Sequence, residues 1–227
     1  MSRVAIVIPV LNEERVIAQR LDELAGLDVE LLVVDGGSTD GTRALVAARA
    51  PRVRLVDSAR GRATQLNAGA QAASAPVLLF LHADVALPAD ALAHVERTLS
   101  DARVVAGAFR TWTVADRPTR LGPLLHLADV RSRYSKLPYG DQALFVRAEV
   151  FRKLGGFPLL PLMEDLAFSQ LLRREGKVRI APSSVRVSGR RFIAHPLRDT
   201  FFVNVFPALF HLGVPPAWLA RLYENVR

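Results

Sequence analysis

Three short apolar runs, each leading to a polar residue, constrain this fold more than any other feature of the chain. Val4-Ala5-Ile6-Val7-Ile8 leads to Asn12, Glu30-Leu31-Leu32-Val33-Val34 stops at Asp35, and Pro76-Val77-Leu78-Leu79-Phe80-Leu81 runs into His82-Ala83-Asp84. Continuous apolar runs of this length read as strands buried on both faces. Helix-forming stretches separate them: from Asn12 to about Leu24, from Thr42 to Ala50, and within Arg60 to Ala73 after a loop. Val53 to Val56 adds a short strand and Ala89 to Leu99 a further helix. Strand alternating with helix implies an α/β sandwich of three layers, a mostly parallel central sheet with helices on both faces. Ligands of such sheets bind outside the carboxyl ends of the strands. Asn12, Asp35 and Asp84 stand there.

The second half is less regular. Val104 to Val114 reads as a longer strand, Arg117 to Lys136 as a basic stretch of helix and loops, and Gln142 to Arg147 as a strand. Glu149 to Leu154 is a short helix closed by Gly155-Gly156, and Glu164 to Glu175 a helix closed by Gly176. Val178 to Ile180 and Val185 to Val187 are short strands. Asn12 is the expected cap of the first helix, with Glu13 and Glu14 in its first turn, and Asp40 or Ser38 that of the second. No repeat and no sharp shift in composition divides the chain, so one domain over residues 1–227 is expected.

The tail from Asp199 to Tyr223 is apolar, but Pro207, Pro215 and Pro216 interrupt it and argue against one membrane-spanning helix. Two readings stay open. It is either an amphipathic surface segment, with Arg190, Arg191 and Arg198 suited to anionic lipid, or a segment packed on its own domain or on a second subunit.

There are 30 Lys and Arg against 22 Asp and Glu, a formal net charge of +8 that suits an anionic partner. Cysteine is absent, which excludes disulfides, thiolate metal sites and a cysteine nucleophile and fits a reducing cytoplasm. No signal peptide is visible, and Val4 to Leu11 is too short to span a bilayer. Aromatic residues make up 7 % and many lie in apolar runs, so no nucleic-acid partner is expected. No Gly-x-Gly-x-x-Gly follows the first strand and no Gly-Lys-Ser/Thr loop occurs, which argues against dinucleotide oxidoreductases and nucleoside-triphosphate hydrolases.

Five groups of residues have the chemistry of a site. Asp84 can hold a hard divalent cation, which needs only one or two protein carboxylates when phosphates complete the shell; it can equally cap a turn. Asp35 can accept hydrogen bonds from a base or ribose. Glu164-Asp165 can supply a general base or merely favour a helix dipole. Arg60-Gly61-Arg62, at the start of a helix, suits phosphate, or is a solvated basic turn. His195 is a metal-ligand candidate, although a lone histidine is more often structural.

Taken together these residues resemble glycosyltransferase family 2 with its GT-A, Rossmann-like fold, over about residues 3–190. The branch most similar is small, soluble and bacterial, sometimes found beside radical-enzyme genes. Val7-Ile8-Pro9-Val10-Leu11-Asn12-Glu13-Glu14 resembles the first-strand motif, and Val34-Asp35-Gly36-Gly37-Ser38-Thr39-Asp40-Gly41-Thr42 the family's Asp-Asp/Gly-Gly-Ser-x-Asp-x-Thr block. Gly61-Arg62-Ala63 with Asn67-Ala68-Gly69 resembles the next. Leu81-His82-Ala83-Asp84 takes the place of the Asp-x-Asp metal motif. Gly155-Gly156-Phe157 followed by Glu164-Asp165 is similar to the acceptor-side block.

The resemblance implies a nucleotide-sugar-binding half over residues 1–107, an acceptor half over 108–190 and an apolar tail over 191–227. It implies that Pro9, Asn12, Glu13 and Asp35 frame the base and ribose, that Arg62 meets the diphosphate, and that Ala83 lies in the same nucleotide site. Asp84, with His195 as a second candidate, would bind Mn2+ or Mg2+. Asp165 would be the base with Glu164 alongside, and Tyr139, Gly140, Asp141 and Gln142 would shape the sugar and acceptor site. The implied reaction is inverting transfer from a nucleotide-sugar donor, UDP-linked before GDP-linked, to an unidentified hydroxyl acceptor. The setting would be the cytoplasm or the inner face of the membrane, with peripheral membrane contact and a homo-oligomer as further partners.

Two departures stand out. His82 replaces the first acid of the metal motif, and the Gln-x-x-Arg-Trp motif of processive synthases is absent, Arg190-Arg191-Phe192 being the nearest stretch. The first motivates a rival, an inactive nucleotide-sugar-binding or membrane-surface protein on the same fold. A sugar-phosphate nucleotidyltransferase is a second rival, against which the missing glycine-rich opening loop counts.

Overall fold

The computed structural model describes residues 2–115, 126, 129, 130, 132, 133, 137–189 and 196–224. The three apolar runs become β1 (Val4–Val10), β2 (Glu30–Asp35) and β4 (Val77–Phe80), and β3 (Val53–Asp57) joins them. β1 lies between β2 and β4 and is parallel to both, and β3 continues the parallel set beyond β2. The crossovers are α1 (Glu14–Leu24), α2 (Thr42–Ala47) and α3 (Arg62–Ala72). Because the strand connections leave β1 in opposite directions, β1 and β4 form the point where the winding reverses, which is where such sheets open a crevice. Pro9 lies past the last residue of β1 that pairs with β4.

The alternation of side chains along each strand creates two cores. Ile6, Ile8, Leu31, Val33 and Leu79 pack on one face against Ile17 and Leu21 of α1 and Val46 of α2. Ala5, Val7, Leu32, Val34 and Leu78 pack on the other against Ala63, Leu66 and Ala70 of α3. Ile6, Ile8, Leu32 and Leu78 are wholly buried. Each such side chain stabilises the sheet by roughly 2 kcal/mol.

The rest of the chain extends the sheet. After β4 come β5 (Val85–Ala86), α4 (Ala91–Leu99), β6 (Val104–Val114) and β7 (Phe145–Arg147), followed by α5 (Ala148–Lys153), α6 (Glu164–Glu175) and β8 (Lys177–Ser188). The tail forms α7 (Pro196–His211) and α8 (Pro216–Glu224). The order is β3-β2-β1-β4-β7-β6-β8-β5. β6 and β8 pair parallel, whereas β7 is antiparallel to both β4 and β6, and β5 to β8. α5 and α6 join the face of α3 through Phe151, Phe168 and Leu172, so helices cover both faces.

Several local expectations are corrected. Asn12 does not cap α1: its backbone is left-handed, with φ 55°, and its Oδ1 accepts the amide of Thr39 at 2.8 Å. Gly176 does close α6 as expected, in an extended conformation with φ −179°. A glycine is needed there because a Cβ would come within 2.5 Å of Val105 Cγ1. The two short strands expected near the end are one strand, β8, whose pairing with β6 shifts register between Ala108 and Arg110. Gln142 belongs to a 3-10 turn, Gly140–Gln142, ahead of β7. The segment Arg117 to Lys136 lies largely outside the described residues. Of those described, Asp129 is buried and accepts hydrogen bonds from Thr111 Oγ1 at 2.7 Å and the Thr113 amide at 2.9 Å of β6.

Gly69 lets α3 lie close against the sheet. A Cβ there would fall 2.3 Å from Val7 Cγ1 and 2.7 Å from Val34 Cγ2. Gly69→Ala gains about 1 kcal/mol of helix propensity, but overpacking of this kind typically costs ~1–3 kcal/mol. Since the obstacles are wholly buried strand side chains, the variant is expected to be less stable than wild type in urea unfolding.

Candidate active site

The carboxyl ends of β1 and β2 are tied together by a buried glutamine. Gln65 Nε2, from α3, donates to the carbonyls of Val10 at 2.8 Å and Val34 at 2.9 Å. Gly36 leaves room for it, since a Cβ there would meet the amide at 2.9 Å. The two turns that follow are zipped by side-chain-to-backbone bonds. The Asn12 amide donates to Ser38 Oγ at 2.9 Å, the Glu13 amide to Thr42 Oγ1 at 2.8 Å and the Gly41 amide to Glu14 Oε2 at 2.8 Å. Asp40 accepts the amide of Thr42 at 3.0 Å and that of Glu14 at 3.2 Å, so Asp40, not Ser38, serves the start of α2.

Asp35 ends β2 inside this knot, with its side chain 1 % exposed though close to the molecular surface. Its carboxylate accepts the amides of Gly37 at 3.2 Å and Ser38 at 3.1 Å and the Arg43 guanidinium at 2.8 Å. Burial opposes the charged form, but these bonds from Ser38 and Arg43 outweigh it, and the carboxyl is held below its ordinary range. Asp35 therefore fixes the shape of the turn.

Across the crevice, α3 opens at Gly61, whose φ is 142°, and presents Arg62. The guanidinium joins two acids at the start of α6: Nε bonds Glu164 and Nη2 bonds Asp165 Oδ2 at 2.9 Å. Arg62 is enclosed by protein on most sides yet 41 % of its side chain is open to solvent, as befits a cleft wall. Glu164 is buried, and that burial raises its pKa against the pull of Arg62, with the Asp165 charge adding to the rise. Asp165 Oδ2 also accepts the Gly140 amide at 2.7 Å, and Oδ1 the Leu166 amide at 2.7 Å. The position a Gly140 Cβ would take is 3.1 Å from Asp165 Oδ2 and 2.9 Å from His82 Nε2, so His82 faces the same point as the acid. Asp141 adds negative charge beside Arg62.

Asp84 follows β4 half-exposed, and its carbonyl accepts the Ser188 amide at 3.1 Å. Buried Arg20 of α1 donates from Nε to the carbonyl of Ala83 at 3.3 Å and lies near enough to Asp84 to feel its charge. Among the described residues no three His, Cys, Asp or Glu side chains form a cation cage.

Arg62, Glu164, Asp165, Gly140, Asp141 and His82 thus converge, while Asn12, Glu13 and Asp35 gather at the neighbouring turns. Gln142 is buried and structural: its amide nitrogen donates to the Phe109 carbonyl at 2.9 Å and its oxygen accepts the Tyr139 amide at 3.0 Å. His195 lies outside the described residues. Sequence reasoning missed Arg43, Gln65 and Arg20, whose partners are distant in sequence. The role of Asn67 was also hidden: it brackets Phe157, donating to its carbonyl and accepting its amide, each at 2.9 Å.

The lowered pKa of Asp35 fixes the sign of one pH effect. Its stabilisation is fully present above the unfolded carboxyl value, near 3.9, and is lost as pH falls through the lower folded value. Asp35→Asn is expected to lose on the order of 1–2 kcal/mol at neutral pH, and the gap to wild type should narrow as pH falls through the folded value, as read from urea unfolding at each pH.

Comparison with known proteins places this geometry in a family. The sequence model described as Glycosyl transferase family 2 matches residues 5–155. A PGL/p-HBAD biosynthesis glycosyltransferase of Mycobacterium tuberculosis is 41 % identical over 100 residues, which are 40 % of this chain and 39 % of that protein. An uncharacterized glycosyltransferase of the same species is 31 % identical over 180 residues, 72 % of this chain and 79 % of the relative. Among solved structures, a mannosyltransferase from Pyrobaculum calidifontis in complex with GDP-Man and Mn2+ is 28 % identical with a TM-score of 0.65, over 81 % of this chain and 56 % of that one. S. aureus TarS in complex with UDP-GlcNAc shares the fold at 20 % identity and a TM-score of 0.65, over 83 % of this chain and 58 % of that one. The chain thus spans well under half of the first relative and little more than half of these two structures. With the GT-A arrangement of its sheet and a family match covering most of its length, the chain belongs to glycosyl transferase family 2.

Proposed function

We propose that this protein transfers a sugar from a nucleoside-diphosphate donor to a hydroxyl acceptor, inverting the anomeric carbon, with Asp165 as general base. The observation that carries the reading is the Arg62 guanidinium bonded to Asp165 at the mouth of the crevice. A cation suited to a diphosphate is held by the carboxylate suited to deprotonate the acceptor. Arrival of the diphosphate offers Arg62 a stronger anionic partner. As Arg62 turns towards it, Asp165 Oδ2 is released from the guanidinium and freed to accept from the acceptor hydroxyl. The Gly140 amide keeps the carboxylate in place. Asp165 then takes the acceptor O–H proton, the acceptor oxygen bonds to the anomeric carbon, and the bond to the diphosphate breaks with its electron pair on the leaving group. Glu164, whose pKa is raised by burial, stands beside Asp165 as the second partner of Arg62.

The hard oxygen donor of Asp84 fits a cation shared with donor phosphates. Asp84 would hold Mn2+ or Mg2+ there, and a bound ion would supply charge stabilisation to the leaving diphosphate. Arg20 lies within reach of the Asp84 charge, so the site in the free protein should bind a cation weakly and gain most of its affinity from the nucleotide. The mannosyltransferase relative, solved with GDP-Man and Mn2+, supports both donor class and metal.

Calorimetric titration of UDP and GDP, with Mn2+, Mg2+ or chelator, tests the donor site. Binding of one nucleotide is expected to depend on metal and to weaken in Asp84→Ala; failure of both nucleotides under every condition would sink the reading. Once a donor is identified, Asp165→Asn is expected to lower kcat by ~10²–10⁴ while nucleotide binding persists. NMR of the product should show the anomer opposite to the donor's, and retention would overturn the single-displacement scheme.

A further inference from the structure

We propose that the outer face of α7 and α8 docks on an anionic lipid bilayer. Eight large hydrophobic residues are exposed among the described residues, and four of them, Phe201, Leu212, Trp218 and Leu222, lie within this short segment. Each helix also buries a residue: Phe206 is 3 % and Leu219 0 % exposed. Each helix therefore carries both buried and exposed apolar side chains. Exposed Phe201 and Ala208 follow helical spacing along α7, Leu212 stands just past its end, and Trp218 and Leu222, 66 % and 50 % exposed, stand one turn apart on α8. No helix among the described residues is long and apolar enough to cross a membrane. The geometry is that of a segment lying on a surface, with tryptophan at the level of the headgroups.

Charge selects the occupant. Arg221 is exposed between Trp218 and Leu222. Gln170 of α6 reaches His211 at 3.3 Å, which brings the exposed Arg173 and Arg174, one turn further along α6, beside the end of α7. Arginines flanking an apolar stripe match phosphate headgroups over acyl chains. A second copy is a poorer fit: a self-complementary contact around this stripe would bring like-charged arginines towards one another.

Co-sedimentation with phosphatidylcholine vesicles, with and without phosphatidylglycerol, tests the proposal. Wild type is expected to bind the anionic vesicles, less so as salt rises, and to remain in solution with phosphatidylcholine alone. Trp218→Ala/Leu222→Ala should weaken binding at least ~10-fold, and Arg173→Ala/Arg174→Ala about 10-fold on anionic vesicles only. Both pairs are exposed, and unchanged melting curves would confirm intact folding. Wild type left in solution with anionic vesicles, or variants that bind as wild type does, would overturn the proposal. So would a wild-type dimer in sedimentation velocity that Trp218→Ala/Leu222→Ala dissociates without any vesicle binding, which would assign the face to a second copy. Nucleotide titration of the same variants separates this outcome from any failure of the transferase reading.

Discussion

Arg62 carries one positive charge between two carboxylates that lie 102 and 103 residues away in sequence. Without that cation, Glu164 and Asp165 would place two adjacent acids in a largely buried helix start, where repulsion and burial both favour neutralising one of them. The ion pair therefore joins the first half of the chain, which builds the parallel sheet, to α6. It also leaves the cleft electrostatically poised. In the proposed transfer the same guanidinium would exchange its carboxylate partner for the diphosphate of the donor.

The parallel part of the fold was legible because burial on both faces demands unbroken apolar runs, and β1, β2 and β4 have them. Their polar ends marked the crevice for the same reason, since Asp35 and Asp84 interrupt such runs where a strand must leave the core. β5 was not legible: two residues, Val85 and Ala86, carry no periodicity, and the strand exists only because β8 passes alongside. β8 reads in sequence as two short strands, whereas the structure carries it through a register shift against β6 between Ile180 and Ser184.

At the site, Arg62, Asp165 and Gly140 could be named from motif resemblance, but their mutual contacts could not. Asn12 shows why local rules fail there. Its side chain is an apt helix cap, yet Thr39 from the neighbouring turn claims its oxygen, and the backbone adopts a left-handed conformation that asparagine tolerates better than most residues. Gln65 and Arg20 were invisible for a related reason. Each projects from a helix face onto a backbone carbonyl of a separate strand end, Val10 and Val34 for one and Ala83 for the other. Only the packed orientation of the helix reveals such partners.

Gly69 and Arg62 lie seven residues apart on α3, two turns along the same side of the helix. The first sits against Val7 and Val34 with no side chain between helix and sheet; the second reaches over the ends of those strands. The helix thus behaves as a rigid lever whose fulcrum is a bare patch of backbone. The height of the guanidinium above the crevice floor is fixed by the girth of two valines, so the reach of this cation over the crevice is written into the interior of the sheet.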